Sequence, residues 1–201
     1  MAGTQSSSAL TASLLDSTAL IDLVLPVKAG KLAGVPHIHT DPGQIDFTVE
    51  VLVVYRDRVL LRWHDKHNFW LSVGGHVELD EDPVEAAVRE VQEEVGLAVS
   101  IDDSHMHYRE DSPGYRELVP PLFMCRMGQG EGHEHVTMTY FARASTDVVR
   151  PSGSDRSDRW RWFTAAELSD PQHGIGKDIQ VYATEALRRL SERPAEGRCL
   201  S

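Results

Sequence analysis

Within six consecutive residues, 89–94, the chain carries Arg89, Glu90, Glu93 and Glu94. At about 100° per residue the three glutamates fall inside an arc of roughly 100° on a helix. Val84, Val88, Val91 and Val95 recur at spacings of four, three and four on another face. One side of such a helix docks on a core while another concentrates negative charge. Helix physics alone disfavours this pattern. Glu90 and Glu94 are like charges at i, i+4, and Glu93 and Glu94 fall in the last turn, where the macrodipole repels anions. A divalent cation reverses both penalties. Clustered carboxylate oxygens suit magnesium or manganese, ions that bridge readily to substrate phosphates. A solvated acidic helix face is the plainer alternative. The Gly74-Gly75 lead-in, the loop after it, Arg89 and the terminal Gly96 tell against it.

The surrounding chain supplies elements to position that helix. Asp82-Pro83 is a helix start, an acidic cap followed by a proline in the first turn, and Gly96 suits the C-terminal cap. Asp46 to Tyr55 (DFTVEVLVVY) and Arg58 to Trp63 are β-branched, apolar stretches around a polar Arg56-Asp57 break, which predicts a hairpin. Phe69 to Val73 predicts another strand running into Gly74-Gly75. Further strands are predicted at 97–108, 118–126, 135–143 and Trp160 to Phe163, then a helical turn from Ala165 to Leu168 and a terminal helix over 177–193. Strands around one central helix imply an α+β sandwich. Residues 1–44 read as an N-terminal extension, partly disordered, with a short helix between Leu10 and Leu25. Residues 45–195 form the main domain, and 196–201 a C-terminal tail.

The segment Gly75 to Leu97, GHVELDEDPVEAAVREVQEEVGL, resembles a Nudix box, the pattern G-x5-E-x7-R-E-U-x-E-E-x-G-U with U aliphatic. Gly75, Glu81, Arg89, Glu90, Val91, Glu93, Glu94, Gly96 and Leu97 occupy every defined position without an insertion. A looser likeness runs from about residue 46 to 168, including RWFTAAEL. The resemblance implies a Nudix-type α/β/α sandwich with a mixed β-sheet. It also implies a hydrolase that cleaves a diphosphate linkage with Mg2+ or Mn2+. Glu90 and Glu94 are implied as principal metal ligands, with Glu93 a third ligand or the group that activates water. Gly74 would offer its backbone carbonyl to the metal, Arg89 would orient the carboxylates, and Glu81 would support that network from the loop. Val73 stands where many members of the family have proline, which alters loop stiffness and removes no ligand.

Outside the box the indications diverge. Glu134, in an expected loop from Gly128 to His135, is a candidate catalytic base, with an ordinary exposed loop glutamate as the alternative. Trp70 and His76 are candidates to line the substrate cleft, although core packing explains Trp70 equally well. Pro113 lies 16 residues past Leu97 and Tyr115 lies 18 past it. These offsets resemble those of ADP-ribose hydrolases and dinucleoside polyphosphate hydrolases respectively, while an ordinary turn explains both. His37/His39, His105/His107 and His133/His135 are i, i+2 pairs that would share a strand face. Such a pair could hold a transition metal, although no nearby cysteine or third partner supports that reading. LSVGGH is similar to a stretch of isopentenyl diphosphate isomerases, but those place a catalytic cysteine where Gly74 stands.

Composition bounds the rest. The 201 residues are 41% hydrophobic and 25% charged, with a net charge of −11. That charge disfavours broad attraction to nucleic acid or anionic membrane. No apolar run approaches the eighteen or so residues of a membrane span, and Met1 to Ser8 lacks the features of a secretory signal. With two cysteines, Cys125 and Cys199, no disulfide framework is expected, and a cytoplasmic setting is. The expected partner is a small nucleotide or other diphosphate: a nucleoside triphosphate, a nucleotide sugar or a dinucleotide. A non-catalytic nucleotide-binding sensor of the same fold is the competing class, although such domains typically lose box carboxylates. A homodimer through residues 1–44 is a further expectation. Light scattering tests it, and equal masses with and without those residues would remove it.

Overall fold

A computed structural model describes residues 43–64, 68–130, 133–151 and 159–191. The expected helix between Leu10 and Leu25 and the tail at 196–201 lie outside the described residues. The central strand β1 (Ile45–Tyr55) is apolar at every position from Val51 to Val54, as a strand covered on both faces must be. Its odd residues Val49, Val51 and Val53 pack with Val84, Ala87, Val91 and Val95 of α1 (Pro83–Val95). Its even residues Leu52 and Val54 pack with Ile179, Ala183 and Leu187 of α3 (Lys177–Leu190). The two-residue side-chain period of one strand thus builds both cores of an α/β/α sandwich.

β1 turns through Arg56-Asp57 into β2 (Arg58–His64), which pairs with it antiparallel as the predicted hairpin. On its other side β1 runs parallel to β9 (His133–Ala144), in register from Ile45↔Glu134 to Val54↔Arg143. The sheet continues to β10 (Trp160–Thr164) beside β2 and to β5 (Val99–Ile101) beside β9. β3 (Phe69–Leu71) joins β2, β4 (Val73–His76) joins β1, and β8 (Phe123–Gly130) joins β9. The helical turn α2 (Ala165–Leu168) precedes α3.

Three strand predictions are corrected. The stretch 97–108 is a strand only over β5. After its last ladder bond, from Asp102 N–H to the Phe141 carbonyl, the Asp102 carboxylate takes the Ser104 N–H and the chain turns. The stretch 118–126 joins the sheet only from Leu122, because Pro120 and Pro121 have no N–H to donate. The single strand from Phe69 to Val73 is two strands that break at Ser72 and pair with β2 and β1 respectively.

Candidate functional site

Capping fixes where α1 starts. The Asp82 carboxylate accepts from the backbone N–H groups of Val84 and Glu85, and Glu85 reciprocates to Asp82 N–H, with Pro83 in the first turn. At the other end Gly96 adopts φ 66°, and its N–H reaches the Gln92 carbonyl. A methyl group on Gly96 would also overlap the carbonyl of Arg150, so backbone conformation and close approach both call for glycine. Helix phase and ends being set, Glu90 and Glu94 turn inward toward β4 and are buried, while Glu93 is more open.

Arg89 organises the group. Its Nε donates to Glu81 Oε2 at 2.9 Å and its Nη2 to Glu81 Oε1 at 2.7 Å, a two-pronged pairing across the loop. Nη1 donates to Glu90 Oε1 at 2.7 Å and to Glu93 Oε2 at 3.0 Å, and Nη2 also reaches the His76 carbonyl at 2.8 Å. Burial works against the Arg89 charge, but hydrogen bonding and Coulombic attraction from Glu81 and Glu90 raise its pKa above the usual guanidinium range. Glu81 Oε1 further accepts the Glu78 N–H at 2.9 Å, which ties the loop to the same carboxylate.

Two adjacent glycines bring the strand against these acids. Gly74 donates its N–H to Glu94 Oε2 at 3.1 Å, and a side chain there would strike the Val49 backbone carbonyl. Gly75 faces Glu90 so closely that a Cβ would overlap the carboxylate itself.

Arg62 joins this centre although the motif does not name it, and Glu50 lies next to it in the sheet but on the α3 face. Arg62 Nε lies 2.8 Å from Glu94 Oε2. Glu50 pairs with Gly74 across β1 and β4. Burial, then the charge of Asp178, pushes its carboxyl up to about 7 against opposing effects of Ser72 and Arg62. One signal was available for Glu50: it is the single charge within the run from Phe47 to Tyr55. Arg62 carried none, because the Arg62–Glu94 pairing is purely tertiary.

The other predicted residues are dispersed. Trp70 is only 6% exposed and packs edge-on against Trp63 and Phe163, so its place is the α3-side core and not the cleft. Tyr115 opens β7 (Tyr115–Arg116), which pairs with β6 (Asp111–Ser112) around Pro113-Gly114. Gly114 has φ 82°, as the third residue of a type II turn requires, and Tyr115 is exposed. Glu134 lies in β9 and not in a loop, and its carboxylate pairs with Arg126, which holds its pKa below the usual carboxylate value. His76 ends β4 close to Asp46 and His135.

The carboxylates fit a hard divalent cation. Glu81, Glu90, Glu93 and Glu94 bring four carboxylates, two of them on buried residues of α1, around the guanidinium groups of Arg89 and Arg62. Carboxylates gathered this closely repel one another, and oxygen-bound magnesium or manganese would relieve that repulsion. The glycine at 75 leaves open the space that such a carboxylate site needs.

Comparison with known proteins agrees with this geometry. A family model, the NUDIX domain, matches residues 46–183. A MutT-like protein from Streptomyces ambofaciens is 30% identical over 148 residues, covering 73% of this chain and 90% of that protein. An RNA pyrophosphohydrolase from Roseobacter denitrificans is 30% identical over 122 residues, covering 59% of this chain and 74% of that protein. The crystal structure of a NUDIX-family hydrolase from Clostridium perfringens superposes with a TM-score of 0.62 at 30% identity, covering 74% of this chain and 98% of that one.

Proposed function

We propose a substrate class and a division of labour for a chain that belongs to the NUDIX family and is a Nudix-type diphosphate hydrolase. Its substrate is a nucleoside diphosphate linked to another moiety: a nucleoside triphosphate, a nucleotide sugar or a dinucleotide. The observation that carries this reading is the Arg89-centred network, which holds Glu81, Glu90 and Glu93 in one fixed arrangement beside Glu94. Glu90 and Glu94, with the Gly74 carbonyl, are the groups that would hold magnesium or manganese. Bound there, the metal supplies charge neutralisation for the diphosphate and lowers the pKa of water.

The chain's own residues do the rest. Glu93 is the least buried of the three helix carboxylates and is the proposed proton acceptor. Water forms a new bond to one phosphorus as the bridging P–O bond breaks. The water proton goes to Glu93, and the electron pair of the broken bond leaves on the departing phosphate. Arg89 keeps Glu93 and Glu90 from swinging apart, and Glu81 keeps Arg89 in place. Arg62 steadies Glu94 through Oε2, the oxygen that also accepts the Gly74 N–H. The name of the Roseobacter relative, an RNA pyrophosphohydrolase, supports pyrophosphate chemistry and does not choose among the three substrate types.

The test is release of phosphate and pyrophosphate from a panel of such compounds with magnesium, with Glu94→Gln alongside. Metal-dependent turnover that collapses in the variant supports the hydrolase and ranks its substrates. Retained nucleotide binding with no turnover on any compound would instead favour the sensor class.

A further inference from the structure

Three histidines and an aspartate meet where β1 begins, β4 ends and β9 begins. The strand registers bring them together. Asp46 lies beside His135 in the parallel β1–β9 pair, and His76 lies opposite Thr48, two residues along β1 from Asp46. His133 is two residues before His135 and so points the same way. By that alternation the four share the α3 side of the sheet, the face opposite α1.

Their donor atoms converge on one point. Asp46 Oδ2 is 2.9 Å from His133 Nε2, 3.5 Å from His76 Nε2 and 3.9 Å from His135 Nε2. The Nε2 atoms of His133 and His135 are 3.0 Å apart. All four donor atoms lie within 4.8 Å of one another. A tetrahedral zinc ion with bonds of about 2.0–2.1 Å holds its ligand atoms about 3.3 Å apart, in the middle of these separations. The rings of His76 and His133 each stand nearly perpendicular to that of His135, at 79° and 85°. They therefore present nitrogens to a shared point instead of stacking.

We infer that Asp46, His76, His133 and His135 form a closed, four-ligand site for a zinc-type transition-metal ion, distinct from the carboxylate site on α1. Ligand chemistry separates the two. Three imidazole nitrogens and one carboxylate suit zinc and disfavour magnesium, which takes oxygen ligands. Burial argues the same way, because the Asp46 side chain is only 1% exposed and is ringed by imidazoles at 17–26% exposure. An ion there offsets the buried carboxylate without requiring a protonated histidine. Four protein ligands leave no open position, so the role is structural. The ion would pin the first turn of the loop that leads to Glu81, since His76 also gives its carbonyl to Arg89.

The experiment is metal analysis of the full chain, carrying no added histidine tag, after chelator treatment, reloading with zinc and desalting. About one zinc per chain is expected, with an X-ray absorption spectrum showing imidazole scattering and a raised Tm. The His133→Ala/His135→Ala double variant should bind zinc at least about 100-fold more weakly, given that lost outer-shell partners alone cost about 10–100-fold. Glu90→Gln/Glu94→Gln should retain the zinc and lose hydrolysis, so failure here and failure of the hydrolytic reading are separable. Substoichiometric zinc in the wild type overturns the inference. So does a carboxylate-only spectrum, or zinc that disappears with the glutamates and survives loss of the histidines. Should the double variant not fold, the wild-type spectrum and His133→Gln alone decide the matter.

Discussion

The carboxylate cluster on α1 and the imidazole cluster on the opposite face of the sheet are built by different routes. Glu81, Arg89, Glu90, Glu93 and Glu94 come from one stretch of fourteen residues, and a capped helix with a loop suffices to gather them. Asp46, His76 and the His133/His135 pair come from three strands and become neighbours only through strand register. The first cluster is rich in hydrogen bonds around a central arginine; the second has its donors facing one another across a small space. A local cluster tolerates change elsewhere in the fold. A non-local one depends on the sheet being right.

The largest expected effect is on the first cluster. Glu94→Gln should lower kcat by at least about 100-fold, the range associated with losing one essential acid–base or charge-stabilising group. The far-UV circular dichroism and zinc content should stay unchanged, and normal turnover would move the reaction away from α1. Next come the two glycines, whose neighbours differ. Gly75→Ala crowds only the Glu90 carboxylate, so activity should fall about 10–100-fold with the fold retained. Gly74→Ala meets the Val49 backbone, so denaturant titration should show a stability loss of about 1–3 kcal/mol. Equal stability of the two variants would contradict that distinction.

A smaller effect sharpens the contrast from the other side. Asp46→Asn keeps shape but removes the carboxylate of the imidazole cluster. The zinc-dependent rise in Tm should shrink while kcat with saturating magnesium changes by no more than about threefold, well below the effect of losing an acid–base group. The smallest effect lies outside both clusters. The Thr164 backbone N–H and hydroxyl, then Arg161, hold Glu167 down to about 2 from its ordinary 4.5. A depressed carboxylate contributes stability above its unfolded value and loses it as pH falls toward the folded one. The Tm advantage of wild type over Glu167→Gln should therefore be full above pH 4.5 and vanish toward pH 2.

The contrast also governs what could be read from residues alone. The α1 boundaries, the β1–β2 hairpin and the phase of Glu90, Glu93 and Glu94 rest on contacts within a few residues, and each is legible in spacing and caps. The strand at 97–108 failed because propensity does not register that the Asp102 carboxylate diverts the chain into a turn. Trp70 was ambiguous because an aromatic suits a cleft or a core, and only the positions of Trp63 and Phe163 decide between them. The His133/His135 spacing was visible as a shared face. What it faced depended on a strand pairing across 89 residues, which no local pattern encodes.

That long pairing has a kinetic consequence. Parallel strands cannot join through a tight turn, and a connection of this length exacts its loop-closure entropy before any contact rewards it. The β1–β9 ladder is therefore expected late in folding, after the β1–β2 hairpin and α1 have formed from nearby residues. Asp46 meets His133 and His135 only when that ladder closes, so an imidazole probe at this corner would time a late step of folding.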